Sequence, residues 1–385
     1  MTHRRLTATC CAFVVALSML VAAREQAAAR FFPPAGAWEK HDPAALGLDP
    51  VKLDAAIKAA LATENPNPRD LAVDIPNTFR NEAPYNNLIG PTQPRAGANL
   101  VVIYKGYAVA ASGETDRPDM TFSVTKTFLS TVVGEAYERG LIKDLNDKVG
   151  PYMPKGVDLF TSEHNAKITW DHLLRQTSDW SGTLWGKPDW ADRPPQGQTP
   201  EQWEKRQLNE PGAVYKYNDT RVNVLALATL YLMKEPLPQV LKREIMDPIG
   251  ASNSWHWEPY ENAYVTIDGV KMPSIPGGGH HGGGMFISAW DMARFGYLFL
   301  ANGKWGNREL VTQKWIAMAR TPGVANRGYG FMNWFFSADR PNRVSFQGNG
   351  PNTIYIDWEN DLVIVTRWLR GGNAFVDAVV KAITN

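Results

Sequence analysis

Ser123 and Lys126 stand three residues apart where the chain's most regular apolar repeat begins, a spacing that puts both side chains on one face of a helix. A serine in the first turn of a helix lies at the positive end of the helix dipole, where unpaired N–H groups can hold an oxyanion. A lysine beside it, partly removed from water, can be neutral often enough to accept the hydroxyl proton. That is the chemistry of a serine acylated by its substrate. Ser123-Val124-Thr125-Lys126 is also compatible with a capping serine and a solvated lysine, so its surroundings have to decide. The second constellation, Pro211-Gly212-Ala213-Val214-Tyr215-Lys216-Tyr217-Asn218-Asp219-Thr220, is a turn leading into an apolar helix. Rival signatures are missing: there is no G-x-S-x-G, no H-E-x-x-H, no G-x-x-x-x-G-K-[ST], and no G-x-G-x-x-G between a strand and a helix. His280-His281 invite a metal, but adjacent histidines point apart and no acid or Cys lies near them in sequence, so no metal and no cofactor is expected.

These residues need a scaffold. Over 121–139, Val124, Phe128, Leu129, Val132, Val133, Ala136 and Tyr137 recur at three and four and Gly140 closes the pattern, which predicts the helix that carries Ser123. Other helices are predicted over 50–62, 170–176, 201–208, 221–234, 240–246, 289–301, 313–320 and 374–383, and a polar loop runs from 62 to about 95. Leu100–Tyr104, the Lys105-Gly106 turn and Tyr107–Ala110 read as a hairpin; further strands are expected at 329–336, 343–346, 353–357 and 362–368. Strands near both ends with helices between them give an α+β class: an antiparallel sheet formed by the N- and C-terminal segments and flanked by helices. A mostly helical lobe, about 141–288, is inserted, with a cleft at the junction.

In this order the motifs resemble the serine β-lactamase/DD-peptidase superfamily, in its class C β-lactamase-like branch, which includes family VIII carboxylesterases, D-aminopeptidases and 6-aminohexanoate-dimer hydrolases. Ile168-Thr169-Trp170-Asp171-His172-Leu173-Leu174-Arg175-Gln176-Thr177-Ser178 and the stretch from Gly282-Gly283-Gly284 to Asp291-Met292-Ala293-Arg294-Phe295-Gly296 resemble two further stretches of that family. The resemblance implies Ser123 as acylated nucleophile, Lys126 as its proton partner and Tyr217 as the base that relays the proton to the leaving group. It implies an oxyanion hole of the Ser123 N–H and a second backbone N–H, from Gly350 or Asn352 because Pro351 has none. Tyr215 is expected to be structural.

Departures from the family pattern concern the substrate. Asp219 stands where relatives carry an amide facing lysine and substrate; a carboxylate there would hold Lys126 charged unless its charge is engaged elsewhere, which favours Tyr217 as the base. In place of the lysine or histidine of the third motif the chain has Phe346-Gln347-Gly348-Asn349-Gly350-Pro351-Asn352, which weakens recognition of a β-lactam carboxylate and makes Asn349 a candidate substrate contact. Arg367 is the one candidate replacement cation. By the same resemblance the loop with Trp180, Trp185 and Trp190 lies over the cleft, Trp185 being the candidate acyl-chain contact against a plain packing role, and His280 lines the cleft.

Composition sets the frame. At 44% hydrophobic and 21% charged the 385 residues fall in the globular range, and a net charge of +1 without basic–aromatic runs excludes nucleic acid as partner. Residues 1–29 read as a cleavable signal: His3-Arg4-Arg5 precede an apolar run from Cys10 to Ala23 and the small run Ala27-Ala28-Ala29. That run is short against the roughly 20 residues of a membrane span, so a retained anchor is the lesser reading and no stable membrane span is expected after cleavage. Residues 30–385 would form the exported hydrolase domain, periplasmic or secreted. Cys10 and Cys11 both lie in the signal, which leaves that domain no thiol for disulfide, catalysis or metal. The expected activity is hydrolysis of a small ester or amide through a Ser123 acyl-enzyme. The alternatives are a DD-peptidase or β-lactamase, and a catalytically silent binding protein of the same fold.

Overall fold

In the hairpin of strands β1 (Asn99–Tyr104) and β2 (Tyr107–Ser112), Lys105 and Gly106 both take positive φ, 50° and 89°, as a two-residue turn between right-twisted strands requires. The computed structural model describes residues 30–337 and 340–384. Met1–Phe31 separates as one unit and Phe32–Asn385 as another, and the expected signal, 1–29, lies outside the described residues. The hairpin pairs with strands from the other end of the chain: β3 (Trp334–Phe335), β4 (Arg343–Gly348), β5 (Asn352–Asp357) and β6 (Leu362–Arg367) complete an antiparallel sheet in the order β3-β4-β5-β6-β1-β2. Alternation along β1 sends Val101 and Ile103 to one hydrophobic cluster and Leu100, Val102 and Tyr104 to the other. Both faces are covered, which is why the strand reads as an unbroken apolar run.

Helices α1 (Pro50–Leu61) and α6 (Gly372–Ala382) cover one face through Leu53, Ala56, Phe375, Val376 and Val379. Asp49 starts α1 by accepting from the Val51 and Lys52 N–H groups, with Pro50 at the first position. The other face carries α5 (Ala289–Leu300); a Cβ on Gly296 would press within 2.6 Å of Ile354, so glycine there lets helix and sheet approach. Helix α3 (Thr125–Glu138) lies next, Phe128 stacking on Phe295 at 3.8 Å, and α4 (Asp219–Met233), buried over most of its length, packs on α3.

The α+β class and the sheet drawn from both ends agree with the sequence. Several segments differ. Helix α2 (Leu71–Thr78), capped by Asp70 accepting from Ala72 N–H, lies within the expected loop, its Asn- and Pro-rich composition hiding a one-face apolar pattern of Leu71 and Ile75. The inserted segment is less helical than expected: strands Thr183–Leu184 and Lys187–Pro188, His256–Glu258, Tyr264–Ile267, Val270–Pro273 and Gly284–Ile287 fall within 141–288. The helix expected over 201–208 is Pro200–Glu204, and the strand expected over 329–336 shortens to Trp334–Phe335, because Tyr329 joins it only by a single bridge. Leu237–Leu241 runs into a wider π turn over Lys242–Met246.

Candidate active site

The short strand Asp119–Met120 pairs with Gly284–Ile287, and Thr121 N–H donates to the Met285 carbonyl at 2.9 Å. Phe122 then takes a left-handed backbone, φ 49°, a conformation bulky residues avoid, and a 3₁₀ turn over Phe122–Val124 feeds α3. Ser123 sits half-buried on this turn. No side chain caps the start of α3, so the capping role considered for Ser123 is not the one it has. Its Oγ accepts a hydrogen bond from Lys126 Nζ at 2.8 Å. Strand β4 reaches the same turn at Gly348, where a Cβ would stand 3.1 Å from Ser123 N and 3.2 Å from Val124 N; only glycine permits this approach.

Lys126 is 1% exposed and pairs with Asp219 Oδ1, itself 2% exposed at the first position of α4. Asn218 caps that helix, its side chain accepting from Arg221 N–H at 3.0 Å. Asp219 is shared among three basic groups: besides Lys126, Arg193 Nη1 lies 2.6 Å from Oδ2, and His280 Nδ1 3.2 Å from the same oxygen. His280 Nε2 in turn meets Glu82 Oε2 at 2.6 Å, and its ring stacks on Phe79 at 3.8 Å. Asp192 accepts from the Asp219 and Thr220 N–H groups and pairs with Arg193.

Burial pulls the Lys126 amine below its usual pKa; Asp219 opposes this and the Arg193 charge reinforces it. Against burial, Lys126, Arg193 and His280 together hold the Asp219 carboxyl well below the usual carboxylate range. Burial and Arg193 also work against a charged His280, but Asp192, Glu82 and the bond to Asp219 prevail and lift it to about 9. His281 beside it is pushed well below its usual value by burial and by the charge of His280. Asp219's charge is thus divided among Lys126, Arg193 and His280, and the Lys126 amine holds its proton less tightly than a lysine in water.

Tyr217 lies over this group. Lys126 Nζ is 4.9 Å and the Arg193 guanidinium carbon 5.1 Å from its ring centre, and Trp334 stacks on it at 5.8 Å. Burial and the Asp219 charge raise its hydroxyl pKa well above the usual value, although Arg193 and a hydrogen bond with Ser123 pull the other way. That environment disfavours the deprotonated Tyr217 that the role of base expected from the sequence would need. Tyr215 packs on Tyr329 and Trp334, a structural aromatic as expected.

Other candidates stand elsewhere. Gly350, φ 79°, lies against the Trp368 ring, and the Asn352 side chain is tied to Arg367 Nε at 2.9 Å and to the Asn349 carbonyl at 2.6 Å. Gly348, earlier in the same segment, is the residue that adjoins Ser123 N, and half-buried Asn349 follows it. Arg367 is buried with its donors on Asn352 and the Ile287 and Met120 carbonyls, so it braces the sheet rather than offering a cation to substrate. His280 is 1% exposed and lies behind Asp219, not on the cleft wall. Trp180 is core, its Nε1 on the Leu159 carbonyl, and Trp190 packs on Tyr85. Trp185, at the turn between Thr183–Leu184 and Lys187–Pro188, packs on the main core, which favours the packing role. Glu82, Asp192, Arg193 and Trp334 escaped the sequence reading; no motif carries them, Trp334 lying on the short strand β3 and the others on turns and loops, and only their convergence marks them.

Glu82, His280 and His281, and likewise Asp192, Asp219 and His280, bring their polar atoms within 4.8 Å of one another, so the fold supplies the acids that the sequence neighbourhood of the histidines lacks. Each carboxylate is already paired with Lys126, Arg193 or His280. The positive charge a metal would bring is supplied by the protein's own side chains.

The sheet, the helix-borne serine and its lysine define a protein of the serine β-lactamase/transpeptidase class. Residues 82–377 match the family model described as Beta-lactamase, and the chain belongs to that family, whose members are in general serine hydrolases. No curated protein matches the sequence. Among solved structures, it is similar to a family VIII carboxylesterase at 14% identity, with a TM-score of 0.54 over 87% of this chain and 99% of that one. It is similar to an octameric penicillin-binding protein homologue from Pyrococcus abyssi at 17% identity, TM-score 0.56, over 88% and 78%. A protein from Bacillus anthracis assigned as a 6-aminohexanoate-dimer hydrolase is 19% identical, TM-score 0.53, over 75% and 79%. At these identities the likeness is one of fold. Among the described residues, no helix is long and apolar enough to cross a membrane.

Proposed function

We propose that this protein is an exported serine hydrolase that cleaves a small ester or amide through an acyl-enzyme on Ser123. The observation that carries the reading is the 2.8 Å bond from Lys126 Nζ to Ser123 Oγ, made by a lysine that burial holds below its usual pKa. Neutral Lys126 takes the Ser123 proton as Oγ attacks the carbonyl carbon. The Ser123 N–H receives the oxyanion, and the approach of Gly348 supports taking the second donor from the Gly348–Asn349 peptide rather than from Gly350 or Asn352. Tyr217, kept protonated, gives its proton to the departing alcohol or amine and recovers one from the Lys126 ammonium; water then attacks the ester carbonyl and frees Ser123. This keeps Tyr217 as the relay to the leaving group, as expected from the sequence, and moves the role of base from Tyr217 to Lys126.

The absence of a free cation on β4 and the full engagement of Arg367 favour substrates without a carboxylate over cell-wall peptides or β-lactams. The similarity to a carboxylesterase points the same way. A fluorophosphonate probe tests the reading: wild type is expected to be labelled and Ser123→Ala not, with p-nitrophenyl butyrate turned over well above nitrocefin. Absence of label on the wild type would leave the silent binding protein as the account, and preferential nitrocefin turnover the β-lactamase.

A further inference from the structure

Among the buried ionisable groups, the chain Glu82–His280–Asp219 has no part in the acylation steps, yet it ends on the lysine that performs them. Glu82 lies beside helix α2, His280 in the Gly-rich segment before Gly284–Ile287, and Asp219 at the start of α4. All three are almost fully buried, and both imidazole nitrogens are engaged, Nε2 by Glu82 at 2.6 Å and Nδ1 by Asp219 at 3.2 Å. A ring with a carboxylate on each nitrogen donates from both, which requires the imidazolium. We infer that His280 is a positioning residue: clamped between Glu82 and Asp219, it carries a positive charge that competes with Lys126 for the Asp219 carboxylate and so leaves the amine free to take the Ser123 proton.

The groups facing His280 come from every neighbouring segment. Glu82, Asp219 and Asp192 are negative; Arg193 is positive; His281, the adjoining residue, is held neutral. Lys126 in turn faces Asp219, Arg193 and Asp192, with Ser123 and Tyr217 as its uncharged contacts. Arg193 contributes in the same sense and acts on Lys126 directly, whereas His280, wholly enclosed, acts through Asp219. The raised proton affinity of His280, to about 9, agrees with the geometry. Removing its charge leaves Asp219 to act more fully on Lys126, so Lys126 holds its proton to higher pH.

This inference rests on the proposed acyl-enzyme, and the test separates the two. The pH profile of kcat/KM for p-nitrophenyl butyrate is measured for wild type, His280→Gln and His280→Asn; Gln keeps hydrogen-bonding reach toward Glu82 and Asn toward Asp219, and neither carries charge. The acid limb is expected to move to higher pH by about one unit or more in both variants, the size of effect a charge within a few ångströms produces. An altered plateau with an unmoved limb would mean that His280 only packs, and would overturn the inference. Should neither variant fold, ¹⁵N NMR of the wild-type imidazole decides: a doubly protonated His280 at pH 7.5 supports the inference and a neutral one overturns it. Failure of the proposed function reads differently, as a wild type with no ester turnover or serine labelling at any pH.

Discussion

Asp219 distinguishes this site, because a carboxylate in contact with the reacting lysine would ordinarily fix it as a cation. Its oxygens are divided among Lys126, Arg193 and His280, and the lysine is left with a lowered proton affinity while the tyrosine above it is left with a raised one. The asymmetry between the two can be measured. Lys126→Met is expected to lower the acylation rate about 10³-fold or more, and Tyr217→Phe about 10²-fold, in single-turnover experiments with an activated ester, within the range general acid–base groups contribute. The gap should narrow for amides, whose poorer leaving group needs the Tyr217 proton. Ser123, Lys126, Tyr217 and Asp219 were all legible in the sequence, because short motifs fix their spacing. Their division of labour was not, since it depends on Arg193 and His280 arriving from distant segments.

Close approach of elements, paid for in glycine side chains, assembles the pocket. Gly348 brings β4 against the Ser123 turn, and Gly278 brings the Gly-rich segment against Lys126 and Asp219, where a Cβ would overlap both polar heads. Gly278→Ala is expected to cost about 1–3 kcal/mol by overpacking and to cut ester turnover more than it cuts stability, which denaturant titration beside steady-state kinetics would check. The resemblance set this segment at the cleft through His280, but nothing in the sequence showed that the Gly278 backbone closes on Lys126 and Asp219. Helix α3 and the hairpin were legible because their periodicity is strong; α2 and the strands of the inserted segment were not. Their short spans carry few apolar residues, and tertiary pairing, such as Gly284–Ile287 against Asp119–Met120, decides their form.

Across the whole molecule, the buried ion network ties stability to pH with an assignable sign. His280 has a folded pKa near 9 against about 6.5 unfolded, so its stabilising contribution is full below pH 6.5 and is lost as pH rises through 9. His281, shifted the opposite way, contributes fully above about 6.5 and loses its contribution as the pH falls. Lys187, held near 8 by burial, has its penalty relieved only above that pH. From pH 6.5 to 8 the wild type is expected to lose about 2 kcal/mol relative to His280→Gln, by urea unfolding at each pH. Parallel curves would contradict the assignment. The architecture was legible at this scale, since the strands of the six-stranded sheet come from the two chain ends and β1 pairs directly with β6. The network escaped the sequence, because Glu82, Asp192, Asp219 and His280 meet only in the fold.

The most direct test of the central claim is intact-mass spectrometry of the protein mixed briefly with p-nitrophenyl butyrate, comparing wild type with Ser123→Ala. A butyryl adduct that appears and decays in the wild type, maps to Ser123 and is absent from the variant is the expected result. Ester turnover that persists in Ser123→Ala, or an adduct on another residue, would contradict it.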